Sequence, residues 1–229
     1  GPPSSVLAKM GDKLEAKKIA VACGVPVIPG TREPLKDADE ALAKAKEFGF
    51  PVILKAAAGG GGRGIRKVEK KEDLERAFLA ATAEAESAFG DGAVYLEKFL
   101  APSKHIEMQL LCDHHGGVVC LGERECSMQR KNQKLIEESP SPAISEETRA
   151  QMIEASIKAA KAVGYRGLGT IEFLLDPDKN FYFMEMNTRI QVEHPITEMI
   201  TGIDLIKEQI KIASNLPLSF KQEDIKVTG

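Results

Sequence analysis

Two carboxylates, Glu172 and Glu185, carry the first chemical signal in this sequence. They sit in the strand-like runs Gly169 to Leu175 and Phe181 to Asn187, joined by the turn formers Asp176-Pro177-Asp178-Lys179-Asn180. A hairpin centred between Asp178 and Lys179 sets the two carboxylates directly opposite each other. Like charges so placed repel, and a divalent cation compensates them. Hard oxygen donors suit Mg²⁺, which keeps phosphate oxygens in its shell. Asn187, on the same face, adds a third oxygen. A register one residue different would send the carboxylates to opposite faces, and the pair alone does not choose between the two readings.

The run Glu185-Met186-Asn187-Thr188-Arg189-Ile190-Gln191-Val192-Glu193-His194 tips the balance, because few structural needs place so many polar groups behind a Phe-Tyr-Phe-Met strand. If the segment stays extended, Arg189, Gln191 and Glu193 share one face. An Arg beside an acid forms an anion clamp with a general base next to it, whereas one exposed Arg-Glu pair would confer nothing. Gly59-Gly60-Gly61-Gly62-Arg63-Gly64 joins two strands instead of opening a helix, which removes the Walker-loop reading. Its unobstructed N–H groups suit phosphates, although a plain hairpin tip has the same composition. Lys55 precedes the loop among Val52, Ile53, Leu54 and Ala56, where a half-buried cation calls for a partner such as phosphate. Glu97-Lys98-Phe99-Leu100 closes a strand at a hinge, where backbone groups could meet an adenine edge or simply end the strand. Gln129 to Lys134, as a charge run by itself, reads as a solvated loop. His105 and His194 read as structural histidines, and His114 and His115 as turn residues.

These groups need elements to hold them. Asp12 is a candidate N-cap, followed by the apolar stripe Leu14, Ala16, Ile19, Ala20 and Cys23, which Gly24 ends. Val25 to Gly30 is short and β-like, and Asp37 to Phe48 is amphipathic. Strand Val52–Ala56, the glycine loop, strand Ile65–Val68, a helix from about Glu72 to Phe89 and strand Val94–Phe99 form a β-loop-β-α-β unit. The helix's inner face is Leu74, Phe78, Ala81 and Ala85. Strands His105–Cys112 and Val118–Glu125 follow, then a capped helix from Ser145 to Val163. A last helix is predicted over Ile196–Ser214 with Met199, Ile203, Ile206 and Ile210 inward. The fold class is α+β, with two lobes meeting near residue 100.

The 229 residues carry 31 Lys+Arg against 34 Asp+Glu, a net charge of -3, with 43% apolar content. This is a globular composition and gives no basic face for nucleic acid. With no Trp and 5% aromatics, a stacking platform for single strands is also excluded. No apolar run nears the ~20 residues of a membrane helix, and Gly1 to Lys18 lacks the apolar stretch of a secretory signal. Cys23, Cys112, Cys120 and Cys126 contain no C-x-x-C pair and read as reduced thiols of a cytoplasmic protein.

Taken together, several motifs resemble the ATP-grasp domain of biotin carboxylase, the component of biotin-dependent carboxylases, with the acetyl-CoA carboxylase type of fatty acid biosynthesis favoured. They are Met10-Gly11-Asp12-Lys13, Lys55 through Gly64, Tyr95 through Lys98, Gly122 through Arg130, Gln133-Lys134, and Glu185 through Pro195. The resemblance covers essentially the whole chain. It implies an ATP-grasp fold with an N-terminal helical segment (1–26), a small lid lobe (27–100) and a larger lobe (101–229) with the metal and bicarbonate site. It implies that Lys13 and Lys55 bind ATP phosphates, Gly61 and Gly62 cover them, Glu97, Lys98, Phe99 and Leu100 hold adenine, and His105 lies on the ribose side. Gln129 and Asn132 fall to the nucleotide as well, Asn132 standing where family members often carry His. Glu172, Glu185 and Asn187 would hold Mg²⁺ or Mn²⁺. Lys134, Arg189, Gln191 and Val192 would bind bicarbonate, with Glu193 as its base.

The implied reaction is ATP-dependent carboxylation of biotin through carboxyphosphate. Its partners are a biotin carboxyl carrier protein, a carboxyltransferase component and, in the full-length enzyme, a second copy in a homodimer, without nucleic acid or membrane. The family pattern has a further domain ahead of Gly1 and more sheet after Gly229, including an arginine facing biotin, so the chain reads as a central domain. Other expectations are an ATP-grasp carboxylate ligase of different substrate, or a nucleotide-binding module without turnover.

Overall fold

The computed structural model describes residues 1–58, 64–130 and 133–228. The chain enters through α1 (Ser4–Gly11) and α2 (Lys13–Ala22). Asp12 caps α2, its Oδ1 accepting from Leu14 N at 2.8 Å and Glu15 N at 3.0 Å. This satisfies two of the orphan donors at the helix start. Helix α1 was not anticipated, although Val6 and Met10, four apart and both buried, carry its signal. Val6, Met10, Ala16 and Ala20 belong to the core of the larger sheet, so the N-terminal segment is an integral layer of that core.

Next come α3 (Ala38–Phe48), β1 (Val52–Ala56), β2 (Ile65–Val68), α4 (Leu74–Phe89) and β3 (Val94–Lys98). The strands form an antiparallel sheet in the order β2-β1-β3. Leu74, Phe78, Ala81 and Ala85 of α4 pack on its Val52, Leu54 and Leu96 side. Then follow β4 (Lys104–Cys112), β5 (Val118–Arg130), β6 (Gln133–Glu138), α5 (Glu146–Val163), β7 (Gly167–Leu175) and β8 (Phe181–Asn187). They make a second antiparallel sheet in the order β6-β5-β4-β7-β8. Its core holds Phe173 edge-on to Phe181 (5.4 Å) and Phe183 (6.4 Å). Such pairs are worth about 0.5–1.5 kcal/mol beyond burial.

Residues 25–30 stitch the sheets together. Phe183 N donates to Pro26 O (2.7 Å) on one side, and Lys98 N to Pro29 O (2.8 Å) on the other. Val27 thereby bridges β8 and Gly30 bridges β3. A Cβ on Gly30 would lie 2.6 Å from Leu96 O, so only glycine permits this approach.

Two expectations are corrected. Ile196–Ser214 is not one helix but α6 (His194–Thr201) and α7 (Leu205–Ala213). Gly202 leaves α6 in the left-handed region (φ 70), and Asp204 starts α7 by accepting from Lys207 N at 2.9 Å. The break resets the helical phase. Met199, Ile206 and Ile210 consequently face out, at 82%, 43% and 61% exposure, while Ile200, Leu205 and Ile212 are buried. In the Gln129–Lys134 run, expected as a solvated loop, Gln129 and Arg130 end β5, Gln133 and Lys134 begin β6, and Gln129 pairs with Lys134.

Among the described residues no helix is long and apolar enough to cross a membrane. The four cysteines are free thiols, and burial pushes those of Cys112 and Cys120 up to about 12, which makes them poor nucleophiles.

Candidate active site between the two sheets

A cavity of about 1200 Å³ lies between the sheets, walled by α2, β1 and β3 on one side and by the faces of β4 to β8 and the start of α6 on the other. At the small-sheet end, Glu97 is fully buried and faces Lys55 Nζ at 2.7 Å, with Lys17 Nζ in contact with its other oxygen. Lys17 also lies over the Tyr95 ring, 4.9 Å from its centre. Lys13 and Lys17 are one helical turn apart, so the cap at Asp12 aims both from the same face of α2. Lys13 Nζ reaches to 3.9 Å from Glu185. Burial lowers the Lys55 pKa to about 8, helped by Lys13 and opposed by Glu185. Burial, then Lys55 and Lys13, lowers that of Lys17 as well. A buried cluster with surplus positive charge is built for an anion.

In the Glu97 to Leu100 segment several polar groups have partners within the chain. The Lys98 ammonium donates to the carbonyls of Gly49 (2.9 Å) and Phe50 (3.3 Å). The Lys98 and Phe99 N–H groups are taken by Pro29 O and Pro51 O. Phe99 and Leu100 do line the cavity. Any adenine edge here has to be met by other groups of the segment.

On the large sheet, Glu172 and Glu185 are indeed cross-strand partners, for a reason the hairpin arithmetic missed. The pairs Leu175 with Phe181 and Phe173 with Phe183 centre the turn on Asp178. That register, continued, would pair Glu172 with Met184 and bury Glu185 in the core. A bulge between Phe173 and Glu172 absorbs one extra residue on β8 and returns Glu185 and Asn187 to the cavity face. Asn187 Nδ2 donates to Glu172 Oε1 at 2.8 Å, leaving its own oxygen for a ligand. Burial raises the Glu185 pKa, and the charge of Glu172 raises it further. Glu172 shows the opposite outcome, because contacts from His105 and Lys134 overcome its burial and hold its pKa low. The pair is short of positive charge and offers only hard oxygens, which fits Mg²⁺ or Mn²⁺. His105 Nε2 is 3.1 Å from Glu172 Oε2, and Gln129 Nε2 donates to His105 Nδ1 at 2.8 Å.

Lys134 is the hub of the deep end. Its ammonium touches Glu107, Glu172 (3.0 Å) and Glu193 (2.8 Å). Burial works against that charge, but Glu172 and Glu107 raise its pKa above the ordinary lysine range. Burial likewise opposes ionisation of Glu193, and the Lys134 bond overcomes it, so Glu193 is a carboxylate at neutral pH. The expected extended segment is absent: after Asn187 the chain bends and turns into α6. Arg189, Gln191 and Glu193 still line the same cavity, but the partner of Glu193 is Lys134 instead of Arg189. Arg189 is exposed, donating to Ile190 O at 3.1 Å, and Gln191 is buried. Val192 is 91% exposed and lies at the cavity's rim.

Gly61, Gly62 and Asn132 lie outside the described residues, as do Gly59, Gly60, Arg63 and Lys131. The structure adds four groups that the sequence reading left without a role. Lys17 was legible as the i+4 partner of Lys13. Glu107 and Arg124, both fully buried, are cross-strand partners on β4 and β5. Glu137 lines the cavity on β6, its pKa raised by burial and by Glu193 and Glu107.

Residues 12–221 match the family model described as the carbamoyl-phosphate synthase L chain, ATP binding domain. Biotin carboxylase 1 of Bacillus subtilis is 52% identical over 230 residues, covering 100% of this chain and 51% of its own length. A biotin carboxylase of Campylobacter jejuni, solved as a β-γ-ATP complex, superposes with a TM-score of 0.98 at 53% identity, over 100% of this chain and 51% of the other. The biotin carboxylase domain of the Hydrogenobacter thermophilus 2-oxoglutarate carboxylase was solved as a dimer with MgADP, ADP and bicarbonate. It also gives a TM-score of 0.98, at 52% identity and over the same shares of the two chains. The chain therefore spans about half the length of each of these three relatives. With cations and carboxylates arrayed across one cleft between antiparallel sheets, it belongs to the family of the carbamoyl-phosphate synthase L chain ATP-binding domain and is a homologue of the biotin carboxylases.

Proposed function

We propose that this chain carries the nucleotide and bicarbonate machinery of an ATP-dependent ligase that carboxylates biotin on a carrier protein. The observation that carries the reading is the Lys134 hub, where an ammonium, a general-base carboxylate and two further carboxylates meet beside a lysine-rich pocket. Lys13 and Lys55, with the Gly61-Gly62 loop, hold the ATP phosphates, and Glu97 to Leu100 with His105, Gln129 and Asn132 hold the nucleoside. Glu172, Glu185 and Asn187 hold Mg²⁺ or Mn²⁺, which supplies positive charge to the phosphate oxygens.

Lys134, Arg189, Gln191 and Val192 orient bicarbonate, and Glu193 takes its proton as its oxygen attacks the γ-phosphate, releasing ADP. The resulting carboxyphosphate breaks down to CO₂ and phosphate, the phosphate takes the ureido proton of biotin, and the biotin nitrogen captures CO₂. Once bicarbonate draws Lys134 away, Glu193 loses the contact that lowers its pKa and becomes the stronger base. Residues 27–100 act as the lid that keeps water from this chemistry, residues 101–229 form the larger lobe, and residues 1–26 lead into them.

The partners of this reading are a biotin carboxyl carrier protein and a carboxyltransferase component, with a homodimer in the full-length enzyme and a cytoplasmic location. The acetyl-CoA carboxylase type, and with it fatty acid biosynthesis, is the part that a transferase assay decides. The central test is ADP release by the chain with Mg-ATP, with and without bicarbonate and biotin. Bicarbonate-stimulated release that disappears in Lys134→Ala and Glu193→Ala is expected. Mg-ATP binding without such release would leave a nucleotide-binding module, and no binding would overturn the site.

A further inference from the structure

Arg124 is fully buried beneath the Lys134 hub, and the reaction outlined above gives it no task. Its guanidinium donates four bonds to four residues, two on β4, one on the segment before α6 and one on α6 itself. Nε reaches Glu107 Oε1 at 2.6 Å, Nη1 reaches Gln109 Oε1 and Thr197 Oγ1 at 2.8 Å each, and Nη2 reaches Gln191 Oε1 at 3.1 Å. Neutralising Glu107 would need only one of these. The other three go to neutral oxygens, and a guanidinium can only donate.

That restriction sets the direction of the Gln191 amide. With Oε1 turned down onto Arg124, Nε2 turns up, to 3.4 Å from both Glu107 Oε2 and Glu172 Oε1. The flipped amide would set two donors against a guanidinium and its carbonyl against those carboxylates, so it is doubly penalised. The bond to Thr197 ties the same guanidinium to α6, one turn beyond its N-cap residue Glu193. A lysine at 124, with its donors at one point, could not span these acceptors.

We propose that Arg124 is the positioning residue of the oxyanion site: it locks Gln191 with its NH₂ facing the cavity and so makes a donor for bicarbonate out of an ambivalent amide. This rests on the bicarbonate reading given above. Gln191 then presents N–H beside the Lys134 ammonium, a donor set that fits a small planar oxyanion.

The test uses bicarbonate titrations of the whole chain with Mg-ADP, followed by the side-chain amide signal of Gln191, which is assigned by its loss in Gln191→Ala. Arg124→Lys is expected to raise the bicarbonate Kd at least about tenfold, as for a buried donor left misdirected, with the nucleotide Kd changed less than about twofold. Arg124→Lys combined with Gln191→Ala should bind bicarbonate no more weakly than Gln191→Ala alone. An unchanged bicarbonate Kd in Arg124→Lys, or losses that simply add, overturns the positioning role and leaves the bicarbonate reading intact. Wild-type chain that gives no bicarbonate response overturns that reading, and this inference with it. Neutron diffraction from wild-type crystals needs no variant to fold: deuterons of Gln191 facing the cavity are expected, and a carbonyl facing it overturns the proposal.

Discussion

The two ends of the cavity are built with opposite charge logic. At the small-sheet end Lys17 and Lys55 enclose the single buried carboxylate of Glu97, with Lys13 close behind. At the large-sheet end Glu107, Glu172 and Glu193 enclose the single ammonium of Lys134, with Glu185 alongside. Each end has an internal counter-ion, and each remains short of charge: the first of an anion, the second of a cation. On the proposed function, a phosphate chain with its metal ion would supply the anion that the first end lacks and the cation that the second lacks.

Breaking each counter-ion in turn probes this comparison. Glu97→Gln leaves two buried lysines facing a neutral amide and is expected to cost about 3–5 kcal/mol of unfolding free energy in urea titrations. Inorganic phosphate or Mg-ATP should restore a substantial part. A loss below about 1 kcal/mol, unaffected by phosphate, would show that Glu97 does not balance the lysines. Lys134→Met is expected to cost about 2 kcal/mol, since Lys134 retains 18% side-chain exposure while three carboxylates lose their shared donor. Here the rescuing agent should be Mg²⁺ and not phosphate, and rescue by phosphate would erase the contrast between the ends.

The pH dependence sharpens the picture further. Lys55 titrates near 8 in the folded chain and near its ordinary value of 10.5 when unfolded. Between those values the unfolded chain holds the extra proton, so the contribution of Lys55 to the empty chain's stability rises with pH. A bound phosphate favours the ammonium, so Mg-ATP binding takes up a proton there. Calorimetry should show affinity falling above pH 8 by at most roughly tenfold per pH unit, and flat in Lys55→Met. A wild-type profile as flat as that of the variant would mean Lys55 does not sense the phosphates. The smallest effect is expected from Glu185→Gln. Removing one of two opposed like charges should stabilise the empty chain by about 0.5 kcal/mol and abolish its stabilisation by Mg²⁺, both read from thermal melts. Destabilisation instead would mean that the pair does not repel.

Much of this was readable in the linear chain because it depends on neighbours in sequence. Asp12 and Ser145 cap their helices, and the α4 face is the expected Leu74, Phe78, Ala81 and Ala85. The motif run from Glu185 to Pro195 identified the resemblance before any strand was paired. The failures share a cause as well. One helix was expected over Ile196–Ser214 because its apolar residues recur at nearly helical spacing, but Gly202 resets the phase, and local pattern does not reveal which of two faces the sheet will cover.

The sequence by itself determined which elements form and which residue types can meet a phosphate, a divalent cation or a small oxyanion, since periodicity, caps and side-chain chemistry are local properties. Tertiary structure decided the geometry that makes a site of them. The β8 bulge returns Glu185 to the cavity face, Gly30 joins the two sheets, and Arg124 on β5 ties β4 to Gln191 and α6. Strand register and long-range hydrogen bonds arise only when distant segments pack, so charges that look scattered along the chain become two opposed clusters only in the folded molecule.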